Sequence, residues 1–362
     1  MSSWESLGIS LKMSNMCGLH PQKPIKPFFV FNFIMLTIIT VLIIMNVIYN
    51  FHLTLLESIS YIYYVWAKFF FILCLQRRPL EGMLALIKHF KPIDDDFSKE
   101  NIIYKRYDGW LKLYAFYTVF CAFFMIYNAT TLDRWTIYES YAPKGVPELV
   151  LFMAELYVII LTYFSIMGGN ILACTLMLSV AQQFGILQRQ LHGLDLVRMK
   201  TDGDRQICIK NLNEIIAYHI FLVKCIKNLR EIYSLPLLMQ IIGDVAVLCI
   251  NMYGMTLDTG IMDLGRHIAL NLLVLASFVF LFGYPSQILT EQSEGVGYTV
   301  YCICQWYLPN IIPIRKDLQL MLLMSQKTLT ITAGGFTDVN NRTVLVLMKT
   351  AYSFFAYLQT VS

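Results

Sequence analysis

The sequence predicts an all-α membrane protein of seven transmembrane helices with cytoplasmic helical extensions, and three observations carry that prediction. Hydrophobic residues make up 57% of the chain and charged residues 14%, with a mean hydropathy of +0.57, against about half and about a quarter in soluble domains. A span needs about 20 mostly apolar residues to cross a hydrocarbon core of about 30 Å. Such stretches fall near 28–49, 59–75, 111–131, 149–181, 234–256, 267–290 and 338–358. The third observation is charge segregation. Of the 28 Lys and Arg, 21 lie in one alternating set of connecting segments, whereas segments 50–58, 132–148 and 257–266 hold only Arg134, Lys144 and Arg266. Basic residues are retained on the cytoplasmic side, so the N-terminus is expected inside and, after seven crossings, the C-terminus outside.

Residues 1–27 form a cytoplasmic segment with Pro21, Pro24 and Pro27. No short basic region leads there into an apolar core and cleavage site, so no cleavable signal is expected and span one acts as the insertion signal. Segment 76–110 mixes charges, with Asp94-Asp-Asp96 among basic residues, and reads as a solvated turn. Asn128-Ala-Thr130 ends span three as a glycosylation acceptor, Asn128 being the candidate, although its closeness to the membrane argues against modification; Asn341-Arg-Thr343 is a second match that falls inside.

Span four, at 1.5 Å per residue, is about 50 Å long and overshoots the hydrocarbon layer. In 182–233, Ile207, Leu212, Ile215, Ile216, Ile220 and Val223 recur near helical spacing, which continues helix five below the membrane. The apolar tract 306–331 is interrupted by Pro309 and Pro313 and flanked by Arg315, Lys316 and Lys327; it reads as a membrane-adjacent helix, not an eighth crossing. These pieces together predict a cytoplasmic helical platform able to pack against sister subunits.

Several functions are disfavoured. The nine cysteines avoid the three predicted outside loops, so no extracellular disulfide is expected. Cys302-Ile-Cys304 has no His or second pair at metal spacing and reads as small interior residues. The six histidines are scattered, without His-x-x-x-His or Glu-x-x-His spacing, so no catalytic site, metal or cofactor is expected, nor a nucleic-acid partner. A transporter should carry paired broken helices, and only one broken tract is visible.

Seven spans raise the alternative of a metabotropic, G-protein-coupled chemoreceptor, and Asp133-Arg134-Trp135 looks like that family's acidic-Arg-aromatic motif. The motif falls in a segment that the charge rule places outside, and the last span lacks Asn-Pro-x-x-Tyr.

The chain resembles the insect odorant receptors along essentially its whole length. The specific features lie in the final sixty-five residues: Gln292-Ser-Glu294, Tyr301, Trp306-Tyr307, Pro309, Lys327-x-x-x-Ile331-Thr-Ala-Gly-Gly-Phe336, and Met348-Lys-Thr-Ala-Tyr-Ser-Phe-Phe-Ala-Tyr-Leu358. This resemblance implies an odorant-gated non-selective cation channel subunit in the plasma membrane of a sensory dendrite. It implies a tetramer formed with a shared odorant receptor co-receptor subunit, and a small volatile ligand. It further implies that the seventh span is split, with 291–337 a cytoplasmic anchor segment, 338–362 a pore-lining helix with a short extracellular C-terminus, and 28–290 the six-span ligand-binding bundle.

By helical spacing, Lys349, Tyr352, Ser353, Ala356 and Gln359 share one stripe of the last helix. The resemblance places Ala356 at the family's hydrophobic constriction, which gates by dewetting, with Gln359 one turn further out; the competing reading packs the stripe against span five or six. Ligand recognition is implied in the outer half of the bundle. Span two offers Tyr61, Tyr64, Val65 and Lys68; span three offers Phe123, Ile126 and Tyr127; span four offers Phe152, Leu156, Ile159 and Tyr163. Such a pocket would be apolar with a few orienting hydroxyls, and ordinary helix packing competes for each of these residues. Lys68 and Glu155 read as a structural ion pair, because isolated intramembrane charges are expensive. Asp244 has no evident mate in the sequence.

Overall fold

A computed structural model of the chain describes residues 27–49, 77–92, 102–131, 140–143, 145–194, 202–256, 260–303 and 312–361, with a few positions before residue 27. The order is α1 Pro27–Tyr49, α2 Arg77–Ile87, α3 Ile102–Thr131, α4 Glu148–His192, α5 Asp202–Gly254 and α6 Ile261–Ala276. A π-helical segment, Ser277–Gly283, leads into α7 Tyr284–Ile303, followed by α8 Arg315–Gln326, the strands β1 Thr332–Ala333 and β2 Thr337–Asp338, and α9 Asn341–Val361. The fold is that of an all-α membrane protein. Among the described residues five helices are long and apolar enough to cross a membrane: Pro27–Tyr49, Tyr107–Asn128, Glu148–His192, Arg205–Gly254 and Ile261–Cys302. The expected span two, 59–75, lies outside the described residues.

Lengths separate the bundle into two ends. At 1.5 Å per residue, α4 and α5 are about 68 and 80 Å long, more than twice the hydrocarbon thickness. Their excess forms the platform end, where α4 packs along α7 and α7 against α8. The continuation of helix five below the span is thus observed, and α4 runs eleven residues past the expected 181. One expectation is corrected. Segment 76–110 holds α2, whose Leu80, Met83, Leu84 and Ile87 form a buried i, i+3, i+4, i+7 face; the Arg77-Arg78-Pro79 signal masked it, yet proline is tolerated in a first helical turn. Within the expected anchor segment, the Thr332–Phe336 stretch belongs to a hairpin that precedes the last helix.

That hairpin follows from its two glycines. Gly334 and Gly335 have φ of +61° and +76°, left-handed values that glycine adopts without strain, and Phe336 N donates to the Ala333 carbonyl at 3.1 Å, closing the turn. Thr332 pairs with Asp338 and Ala333 with Thr337. The tip docks on α5 near Pro236: Gly334 N donates to the Ser234 carbonyl at 2.8 Å.

Candidate ligand and pore regions

At the end of the bundle away from the platform, α4 starts at Glu148 behind Pro147, an acidic first turn that complements the helix dipole. Further along, Glu155 is fully buried and accepts a hydrogen bond from the Ser140 hydroxyl. Lys68, its expected mate, lies outside the described residues. Tyr157 Oη donates to Asn32 Oδ1, tying α4 to α1.

Of the expected ligand residues, Ile159 and Tyr163 are buried on α4, and Phe152 and Leu156 are half-buried beside them. Ile126 of α3 packs against the core, whereas Phe123 is 69% and Tyr127 47% exposed on the outward face. Tyr61, Tyr64 and Val65 fall outside the described residues. The buried face of α3 is Tyr107, Leu111, Tyr114, Thr118, Cys121, Met125 and Asn128. Apolarity cannot show which face of a membrane helix turns inward, because lipid and core are equally oily; small and polar residues such as Thr118, Cys121 and Asn128 are the usable signal.

Asn128 itself is buried, and its Nδ2, the atom a glycan would occupy, donates to Asp263 Oδ1 at 3.3 Å. Arg266 pairs with the same carboxylate at 3.8 Å, and His267 Nδ1 lies 3.0 Å from Asn251 Oδ1. Deeper in the bundle, Asn170 Nδ2 donates to Tyr114 Oη at 2.7 Å. Thr162 Oγ1, Asn170 Oδ1 and Asn271 Oδ1 are buried without a hydrogen-bond partner among the described residues. Each such atom costs about 1–3 kcal/mol unless something meets it. Sequence reasoning missed Thr162 and Asn271, which sit in otherwise apolar runs.

The last helix, α9, is capped by Asn340, whose Oδ1 accepts from Thr343 N at 2.9 Å. Val344 and Ala351 are buried against Leu248, Val274 and Phe278, with Leu347 beside them. A Cβ on Gly283 would lie 2.8 Å from Val344 Cγ2, so glycine permits the close approach of the π segment. The other side of the helix carries Tyr352, 63% exposed, with Ser353 and Gln359 exposed and Ala356 half-buried. This polar-faced helix is not among the five apolar enough to cross alone.

The platform end is held by directed polar contacts. Arg230 donates through Nε and Nη2 to the Thr330 carbonyl at 2.9 and 2.6 Å. Gln188 Nε2 donates to the Gln292 backbone carbonyl at 2.8 Å and reaches the Gln292 side-chain Oε1 at 3.3 Å. Lys91 N and O bracket the Gln183 amide at 3.2 and 3.1 Å, while its Nζ donates to Gln190 Oε1 at 2.6 Å and lies 4.5 Å over the Tyr218 ring. Burial pulls the Lys91 ammonium below its ordinary pKa, and the Glu214 carboxylate pushes the other way. Among the described residues no three His, Cys, Asp or Glu converge at metal-binding distance.

The family model described as 7tm odorant receptor matches residues 51–352. Odorant receptor 85b of Drosophila melanogaster is 24% identical over 192 residues, 53% of this chain and 47% of that one; odorant receptor 67a of the same fly is 22% identical over 229 residues, 63% and 53% of the two chains. The chain thus spans about half the length of the curated relatives it matches. A structure of the insect olfactory receptor OR5 from Machilis hrabei in complex with eugenol superposes with a TM-score of 0.78 at 14% identity, covering 99% of this chain and 98% of that one. Without that ligand the same receptor gives 0.76 at 16% identity. At these identities the likeness shows the fold alone.

Proposed function

The chain belongs to the odorant receptor family, a family of insect olfactory membrane receptors and not of enzymes, and from that premise we propose that it is an odorant-gated, non-selective cation channel subunit that works with a co-receptor subunit, as a tetramer, in the plasma membrane. One observation carries the pore assignment: α9 packs on its own bundle through Val344, Leu347 and Ala351 and turns a polar stripe, Tyr352, Ser353 and Gln359, away from it. A polar stripe of this kind suits a boundary with water, while the exposed Val346, Phe354 and Tyr357 beside it suit lipid or a neighbouring subunit. In this reading Ala356 stands at the constriction, with Gln359 on its outer side. The N-terminus is cytoplasmic, the C-terminus extracellular and the platform, 291–337 included, joins subunits.

The ligand pocket is assigned to the outer bundle, around Ile159 and Tyr163 with Phe152, Leu156 and Ile126 at its edge and Tyr61, Tyr64 and Val65 contributed by span two. Phe123 and Tyr127, turned outward, take a peripheral place. Two buried oxygens without a hydrogen-bond partner among the described residues, Thr162 Oγ1 and Asn271 Oδ1, supply the sparse polar anchors that orient an otherwise apolar guest. A small aromatic alcohol of the eugenol type fits that chemistry. The test is whole-cell current during a volatile panel, in cells expressing this chain with and without an insect co-receptor while G-protein signalling is blocked. A rapid co-receptor-dependent cation current is expected. Current abolished by the block would overturn the channel reading.

A further inference from the structure

A lateral cleft of about 390 Å³ opens between α3, the π segment and α9, at the platform end of the membrane bundle. Its walls are aromatic: Tyr107 stacks on Tyr284 with ring centres 5.7 Å apart, and Trp110 on Phe280 at 4.4 Å. Val279, Val344, Leu345 and Met348 complete an apolar lining, and Asn341 closes the platform side. The volume falls within the roughly 300–1,000 Å³ range of small-ligand pockets. The Tyr107 hydroxyl donates to the Phe280 carbonyl, so the wall is itself polar-satisfied. The cleft therefore offers an apolar guest little besides shape and Asn341.

Charge identifies the guest. Leu345 lines the cleft and is 59% exposed. Its neighbours along the helix surface, at i−3 and i+4, are Arg342 and Lys349. Both are exposed, and neither makes an ion pair among the described residues. Helical side chains lean toward the helix N-terminus, so the Lys349 ammonium reaches back toward the same end as Arg342, snorkelling along its stem. Two cations with no ion pair among the described residues, beside an aromatic-walled cleft in a bundle of membrane-spanning helices, match an anionic amphiphile. Trp110 and Tyr284, half-exposed at its mouth, suit the headgroup boundary.

We propose that the cleft binds an anionic phospholipid of the adjacent leaflet, one acyl chain lying between Trp110, Phe280 and Met348 and the headgroup phosphate meeting Arg342 and Lys349. The guest forms part of the seat of α9 and compensates two cations on the helix assigned above to a cation path. The binding stands on the cleft alone; any effect on current rests on the channel reading.

The test uses the full chain with its co-receptor in lipid nanodiscs containing phosphatidylserine or phosphatidylcholine with a photoactivatable group on one acyl chain, the labelled peptides being read by mass spectrometry. Labelling is expected to concentrate in 277–284 and 341–348, several-fold stronger with the serine lipid. Leu345→Trp, filling the cleft from an exposed position, should reduce that label to the level of α1. The double variant Arg342→Gln with Lys349→Gln should remove the headgroup preference while keeping the position. Met348→Trp serves as an independent cleft-filling variant. Label spread evenly over lipid-facing helices overturns the site, as does label unchanged in either tryptophan variant or replaced at 341–348 by a cross-link to a second subunit. Equal labelling by the two lipids overturns the headgroup assignment. Labelling needs no current, so silence of the channel and failure of the site are separate results.

Discussion

The platform joint and the outer bundle are built from the same long helices by opposite means. At the joint, Arg230 grips the Thr330 carbonyl through two donors, Gly334 N reaches Ser234, and Gln188 reaches Gln292. Each bond has a direction, so the hairpin and the start of α9 have one seat. In the outer bundle polar ties such as Tyr157–Asn32 and Asn128–Asp263 join helices at a few points, but the buried surface of α4 at Leu151, Val158, Ile159 and Leu161 is apolar, and the oxygens of Thr162 and Asn271 lack partners among the described residues. Apolar packing is non-directional and accepts guests of differing shape. The contrast suits an anchor that must not move beneath a region that must adapt, since mobile elements are drawn from the less stable end of a structure.

Several substitutions would break or sharpen that contrast, beginning with the largest. Gly334→Val combines a left-handed backbone with a Cβ 2.6 Å from Leu238 Cδ2 and is expected to destabilise by about 2–4 kcal/mol, read as a lower melting temperature in detergent. Gly335→Ala, with φ +76° but open space around it, should cost only about 1 kcal/mol of backbone strain. If both variants melt alike, docking on α5 is not what holds the hairpin. Arg230→Ala should cost about 1.5–3 kcal/mol through the stranded Thr330 carbonyl, and Arg230→Lys should recover only part of it because the fork geometry is lost.

At the other end, Tyr163→Phe should move the odorant dose–response by about three- to tenfold with little change in melting temperature; a large fall in stability without that shift would make Tyr163 a packing residue. Thr162→Val replaces a hydroxyl that has no partner among the described residues with a methyl group of similar size and should raise the melting temperature slightly. The smallest effect is expected at Phe123→Ala, whose ring faces away from the bundle: its dose–response should stay within about twofold of the parent.

Legibility in the sequence followed the physics of each region. The spans were readable because a hydrocarbon layer imposes length and apolarity on any helix that crosses it, and α1, α4 and the run from α6 through α7 lie where those stretches fall. The extension of α5 was readable because Leu212 and Ile215 are buried and Ile216 and Val223 partly so, where water makes periodicity informative, although Ile207 and Ile220 of the expected stripe are exposed. The same period over Leu80, Met83, Leu84 and Ile87 was present but overshadowed by charge and proline. Inside the membrane the signal fails. Phe123 and Met125 are equally apolar, yet one faces outward and the other inward.

By itself, then, the amino-acid order determined class, span positions, the long platform helices and the family, all of them consequences of local composition and spacing. Only the tertiary structure decided that the Gly334-Gly335 turn docks at Ser234, that Asn128 is sequestered by Asp263, that Thr162 and Asn271 find no partner for a buried oxygen among the described residues, and that an aromatic cleft opens beside α9. Each depends on which helix faces comes to lie opposite another, and in a solvent as apolar as the core that choice is made by shape and by a few polar contacts between residues far apart in the chain.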